Sequence, residues 1–406
     1  MKNCVNEPAV LYISYDGMLE PLGQSQVLAY LKKLASGRNI HLISFEKKTD
    51  LSNKSELNNM KKEIAGAGLN WYPLKYHRRP TAVATGWDIT RGIFFGLWLV
   101  IRFRISVVHA RSYVPSVIAL VIKKFTGVKY IFDMRGFWAD EKVDGGSWSR
   151  NGYLYRLAKG FERHFILTAD HLVSLTHAGL REISLFNYVG NRIPPTSVIP
   201  TCADLGRFTP SLESVRFVKG DSFVLGYVGS VGTYYMFDKV IECFLILLTI
   251  QPNSKFLIIN KGQHDYIRVR LKIAGVSDDC IELAEARHSE IPGHMRRMNA
   301  GIFFIKPVFS KQASAPTKLA EFLGCGIPCL GNAGVGDMAE VLESGGIGCV
   351  VRSFDNESLT AEINKLVLLA LTPTTSERCA LAAKKYFSLD DGVAGYKKIY
   401  EKLESI

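Results

Sequence analysis

No two of the eight cysteines, Cys4, Cys202, Cys243, Cys280, Cys325, Cys329, Cys349 and Cys379, stand at CxxC spacing. Most lie in apolar runs, so they read as small buried hydrophobes in a reducing compartment, and neither a disulfide framework nor a zinc site is expected. No GxGxxG follows a strand candidate, which removes the fingerprint of dinucleotide binding. No DxD-type acidic pair closes a strand, so neither a metal nor a cofactor is expected. The most apolar stretch, 92–101, stops at Arg102 and Arg104, well short of the about 20 residues that cross a membrane. The first residues lack a charged-then-apolar leader, so a cytoplasmic location is expected. Recognition-helix and zinc-finger patterns are missing too, and nucleic acid is not an expected partner. Tandem repeats and low-complexity tracts are also absent.

What is present is ordinary in amount and uneven in place. The 406 residues are 47% hydrophobic and 22% charged, as in a globular protein. They exceed the roughly 250–300 residues at which a single core stops growing, so two domains are expected. Residues 1–210 hold 28 Lys/Arg against 16 Asp/Glu, and residues 211–406 hold 22 of each, so the first half carries the whole net charge of +12. A basic half of this kind favours phosphate-rich partners, an anionic membrane surface among them. Trp87 and Trp98, with Arg78, Arg79, Arg91, Arg102 and Arg104 around them, suit a helix lying on such a surface. A plain buried helix is the alternative.

Short apolar runs alternate with helix-period segments. Strands are expected at 10–14, 41–45, 107–110, 129–134, 171–175 and 197–200, and again at 223–229, 255–260, 280–283, 301–305, 328–330 and 349–351. Such alternation predicts an α/β protein whose parallel sheets are covered on both faces. The pattern runs twice, which predicts domains over 1–208 and 223–375, a linker at 209–222, and a terminal helix at 376–406 packing back towards the first domain. Doubly wound sheets bind ligands beyond the carboxyl ends of their strands, so two such domains are expected to face a cleft, and the loops there are the candidate sites.

The first loop carries Asp16, Gly17, Gly23 and Gln24, where glycines and a helix start permit close approach of an anion or an acceptor. The loop after 129–134 carries Asp133, Arg135, Asp140 and Glu141. Arg135 supplies a permanent cation, and the acids are placed to meet sugar hydroxyls or to orient Arg135. Gly229 and Ser230 open the second series with a turn fit to cradle phosphate. The segment 303–328 runs from a strand through Lys306, Lys311 and Ser314 into a helix bearing Thr317, Lys318 and Glu321. Amides of 314–318 and these lysines are suited to a diphosphate. Glu321 is placed for ribose hydroxyls, or else is a capping-box acid. Gly334 marks a further glycine turn.

These segments together resemble the family-4-like retaining glycosyltransferases of the GT-B fold, in particular bacterial members that build surface polysaccharide. The resemblance rests on 15–26, 132–141, 198–208, 225–230 and 316–328. It implies a GT-B pair of Rossmann-like domains, acceptor bound by the first and nucleotide-sugar donor by the second. It also implies transfer with retention and no side-chain base, while the basic first half and the amphipathic segment 87–104 point to a lipid-linked or glycan acceptor. Glu321 matches the second of two glutamates that the family places eight positions apart, and Ala313 stands where the first would be. Ser230 occupies the place of a usual Arg, so Lys318 and Arg135 are expected to supply the catalytic charge. Rival readings are a nucleotide-sugar epimerase using His109 or His177, and a binding protein without catalysis.

Overall fold

Apolar runs buried on both faces become parallel strands because each can be covered by a helix above and below. The computed structural model describes residues 9–211, 222–287 and 289–405. They form two units, one made of 1–199 together with 389–406, the other of 200–388. The first holds β1 (Ala9–Ser14), β2 (Asn39–Glu46), β3 (Leu69–Lys75), β4 (Val107–Arg111), β5 (Lys129–Met134), β6 (His171–Ser174) and β7 (Thr196–Val198). Their order is β3-β2-β1-β4-β5-β6-β7, and every pairing is parallel. All six residues of β1 and all five of β4 are buried.

The second unit holds β8 (Val224–Val228), β9 (Lys255–Ile259), β10 (Ile281–Ala284), β11 (Ala300–Ile302), β12 (Cys329–Asn332) and β13 (Gly348–Val351), in the order β10-β9-β8-β11-β12-β13, again parallel throughout. The α/β class and the two doubly wound parallel sheets are therefore as expected. In each sheet the winding reverses beside the first strand, between β1 and β4 and between β8 and β11. Such reversals are where loops part and leave room for a ligand.

One strand went unread. β3 carries Asn70, Pro73 and Lys75 among its apolar residues and most of it is only half-buried. It lies at the sheet edge, where a proline need not donate to a neighbour and polar side chains face water. The chain passes into the second unit after Ile199 and returns after Ser388. Most of the linker expected at 209–222 falls outside the described residues. In place of one terminal helix there are two, Thr375–Phe387 and Leu389–Glu404. Only the second belongs to the first unit.

That last helix is tied to the first sheet by buried polar groups. Tyr400 Oη meets His109 Nδ1 at 2.7 Å, Tyr396 donates to Asp133 Oδ2 at 3.1 Å, and Glu404 pairs with Arg38. On the opposite side the 23-residue helix Thr81–Phe103 packs on the helix Tyr113–Thr126. Gly92 and Gly96 make this possible, since a Cβ there would stand 2.5 Å from Ile118 Cδ1 and 2.6 Å from Ile122 Cδ1. Its outer side departs from the usual polar face. Val83, Trp87, Phe94, Trp98 and Ile101, spaced as one helical stripe, are each about half exposed or more. No helix among the described residues is long and apolar enough to cross a membrane.

Removing the Tyr396 hydroxyl leaves a buried carboxylate short of a donor. Tyr396→Phe is expected to destabilise the first unit by about 1.5–3 kcal/mol, read as a lowered midpoint in urea with an unchanged slope.

Candidate functional site

In the second unit three loops meet beyond the carboxyl ends of β8, β11 and β12. Lys306 N–H donates to Tyr234 O at 2.8 Å and Met236 N–H to Phe304 O at 3.0 Å, joining the first loop to the second. Gly336 N–H donates to Lys311 O at 2.9 Å, joining the second to the third. Asn332 clamps the junction, accepting from Ile305 N–H at 2.9 Å and donating to Ile305 O at 2.8 Å. Gly334, at φ 82°, lies so close to Pro307 that a Cβ would stand 2.7 Å from its ring. The sequence-expected residues Gly229, Lys306, Ser314, Thr317, Lys318 and Gly334 thus belong to one loop cluster.

The centre of that cluster is Lys318. It lies in the first turn of the helix Thr317–Gly324 and is only 8% exposed. Its Nζ has no hydrogen-bond partner among the described residues. It stands 4.0 Å from the ring centre of Tyr235, 5.0 Å from Tyr227 and 5.3 Å from Phe303. Ring faces attract a cation but replace only part of its hydration. Burial accordingly pushes the Lys318 ammonium down to about 7. Gly229 makes room for it, since at φ 109° a Cβ there would come within 3.0 Å of Nζ. The arrangement holds a desolvated cation ready for an anion, beside first-turn amides that lack acceptors within their own helix.

Glu321, one turn further on, is also 8% exposed. Burial raises its carboxyl to about 7, against the opposing charges of Lys318 and Arg207. The capping-box reading of Glu321 fails, because the helix starts at Thr317 and its third position is Leu319. Other expectations need correction. The amides of 314–318 are not all open: Ser314 N–H donates to Lys311 O at 3.2 Å, and Pro316 has none. The glycine turn is partly committed too, with Gly229 N–H on Ile259 O at 2.9 Å and Val231 N–H on Gln263 Oε1 at 3.0 Å. Ser230 is exposed, as is the Lys306 side chain, and the Lys311 ammonium sits over Tyr234 at 3.9 Å. Ala313, where the resemblance would place a carboxylate, is buried.

In the first unit the expected residues separate. Asp16 reaches Arg111 Nε at 3.2 Å across the point where the winding reverses. Gly17 and Gly23 are required by packing. A Cβ on Gly17 would meet Glu46 Oε2 at 2.6 Å, and one on Gly23 would meet Gly17 O at 2.0 Å. Gln24 is exposed at the start of a π-helical turn, and Glu141 is half-buried in the helix Trp138–Asp144. Asp133 is fully buried and offers no surface to an acceptor. It pairs instead with Arg135 Nη1 at 3.5 Å and His109 Nε2 at 3.4 Å. Burial would raise its carboxyl, yet the charges of Arg135, His109 and Arg111 hold it well below the ordinary range. Arg135 is therefore an anchored, mostly buried cation. Asp140 is likewise taken, by Tyr155 at 2.8 Å and Lys159 at 3.0 Å. His109 is wholly enclosed, which removes it as an epimerase base.

Residues 211–386 match the family Glycosyl transferases group 1. The matched stretch holds Lys318, Glu321 and all three loops. No curated protein matches the sequence. The whole chain is similar in fold to sucrose-phosphate synthase of Thermosynechococcus elongatus, with TM-score 0.73, 13% identity, and 98% of this chain and 99% of that one covered. It is similar to a glycosyltransferase of Rickettsia africae at TM-score 0.69 and 13% identity, over 98% and 99% of the two chains. Anabaena HepE in complex with UDP and glucose gives the same four values. These neighbours share the GT-B fold, and the two parallel sheets follow that plan.

Within the matched stretch, burial of Lys318 carries a measurable cost. Its folded value lies below that of the unfolded chain, so its destabilising effect is full below about pH 7 and fades as pH rises towards the ordinary lysine value of about 10.4. Lys318→Met is expected to raise the melting temperature of the ligand-free protein most at pH 6 and progressively less above pH 8. A gain that grows with pH would contradict the assignment.

Proposed function

We propose that the protein transfers a sugar from a nucleotide-sugar donor to a lipid-linked or glycan acceptor, with retention, in the building of surface polysaccharide. The observation that carries this reading is the unpaired, ring-enclosed ammonium of Lys318 among the strand-end loops of the group 1 domain. Breaking a glycosyl–diphosphate bond leaves negative charge on phosphate. A cation about 4 Å away is worth roughly 4 kcal/mol at an effective dielectric near 20, or about three decades of rate. Lys318 and the first-turn amides take that charge, Glu321 holds the ribose, and no metal is needed. The first unit binds the acceptor. That HepE was solved with UDP-glucose supports a nucleotide-sugar as donor.

A membrane-borne acceptor fits the outer stripe of the helix Thr81–Phe103. Its exposed Trp87, Phe94, Trp98 and Ile101 lie beside Arg91, Arg102 and Arg104, the pairing of apolar and cationic groups that holds a helix on an anionic bilayer. The protein is read as cytoplasmic and peripheral at that surface.

A panel of nucleotide-sugars is expected to contain one that raises the melting temperature, and that donor should be transferred in the presence of EDTA. Lys318→Met should lower kcat/KM by about three decades. Proton NMR of the product anomer decides retention, and an inverted product would exclude it. Flotation with vesicles containing phosphatidylglycerol should carry the wild-type chain at low salt and leave a Trp87→Gln, Phe94→Gln, Trp98→Gln variant behind. Equal flotation of both would remove the surface reading.

A further inference from the structure

Beyond the carboxyl ends of β1 and β3 lies a cluster that the donor chemistry does not use. Asp88, from the helix Thr81–Phe103, is fully buried. Its Oδ2 accepts from Tyr15 Oη at 3.0 Å and from the backbone N–H of His77 at 3.0 Å. Its Oδ1 meets His77 Nδ1 at 2.6 Å. Tyr15 follows β1, and His77 follows β3, so three separate elements converge on one carboxylate. The Tyr15 ring packs against Phe45 at 4.9 Å and edge-on to Tyr76 at 5.4 Å.

A carboxylate fixed on Nδ1 makes that nitrogen a donor, and in the neutral ring the lone pair is then on Nε2. Nε2 lies on the ring edge turned away from Asp88 and has no hydrogen-bond partner among the described residues. The His77 side chain is 29% exposed. A purely structural knot would need the backbone N–H and the Tyr15 hydroxyl on Asp88, but not an imidazole held in one tautomer with its acceptor nitrogen open. Tyr15, which ties the cluster to β1, borders the reversal of the winding where such folds take ligands.

We propose that His77, aligned by Asp88, is a saccharide-positioning residue of the first unit: Nε2 accepts the hydrogen of an acceptor hydroxyl, with Tyr76 beside the sugar ring. This rests on the transferase reading for the identity of the acceptor, though the binding itself does not require turnover. No proton changes owner in this contact, so it is compatible with transfer in which the leaving phosphate takes the proton.

The test uses the full chain and p-nitrophenyl glycosides as probes. Saturation-transfer NMR should show a bound glycoside, and long-range proton–nitrogen spectra should show His77 as the Nδ1–H tautomer, its Nε2 resonance moving on glycoside addition. His77→Ala is expected to weaken glycoside binding about tenfold, the loss of one hydrogen bond, and His77→Gln to restore part of it. Nucleotide-sugar stabilisation should be the same in all three proteins. Should His77→Ala be poorly folded, the His77 resonances of the wild-type chain still decide. An unmoved Nε2 with glycoside bound, or no glycoside bound by the wild type, overturns the proposal. Loss of nucleotide-sugar stabilisation from the wild type would instead sink the donor reading, so the two failures are distinct.

Discussion

An ammonium group kept from water without a hydrogen-bond partner weakens the folded state that keeps it, and the second unit is arranged around that burden. Lys318 can stay buried because three aromatic faces stand in for part of its hydration. Those faces come from different places: Tyr227 from β8, Tyr235 from the loop after it, and Phe303 from the end of β11. Only a sheet whose winding reverses between β8 and β11 brings these ends side by side. Asn332 and Asn260 then fix the loops, the latter through Gly229 O at 2.9 Å. Tolerated strain of this kind collects at functional sites.

The first unit handles buried charge in the opposite way. Asp133 is surrounded by Arg135, His109 and Tyr396, and Asp88 by His77 and Tyr15. Asp133 Oδ2 is met by His109 and Tyr396, and Asp88 by Tyr15 and His77, so each carboxylate locks separate elements together. Pairing also explains why Arg135 is a poor guide to a ligand. A cation at a strand end signals function only when nothing in the protein already answers it, and Asp133 sits two residues away.

The fold was legible because burial on both faces writes a continuous apolar run, as in β1, β8 and β9. β3 escaped because an edge strand is written by half-burial and tolerates Pro73. Around the site, Lys318 was legible from its place just inside a helix that follows a small-residue loop. Its partners were not. Tyr227, Tyr235 and Phe303 look like core aromatics in sequence, and only the crossover of parallel strands makes them a cage. Gly17 and Gly23 show the ambiguity of glycine. A glycine marks close approach, but the sequence does not say whether backbone or ligand approaches. His77 and Asp88 gave no signal either, being eleven positions apart with no motif between them.

The two-part make-up of the first unit bears on how the chain matures. Its sheet is complete by β7, yet the helix that satisfies His109, Asp133 and Arg38 is made only after the whole second unit. Until residues 389–404 are made, the sheet lacks the tyrosines that meet His109 and Asp133, whereas the 200–388 unit needs nothing later in the chain. A chain cut at Ser388 would keep every strand of both sheets and still leave a buried carboxylate short of its donor.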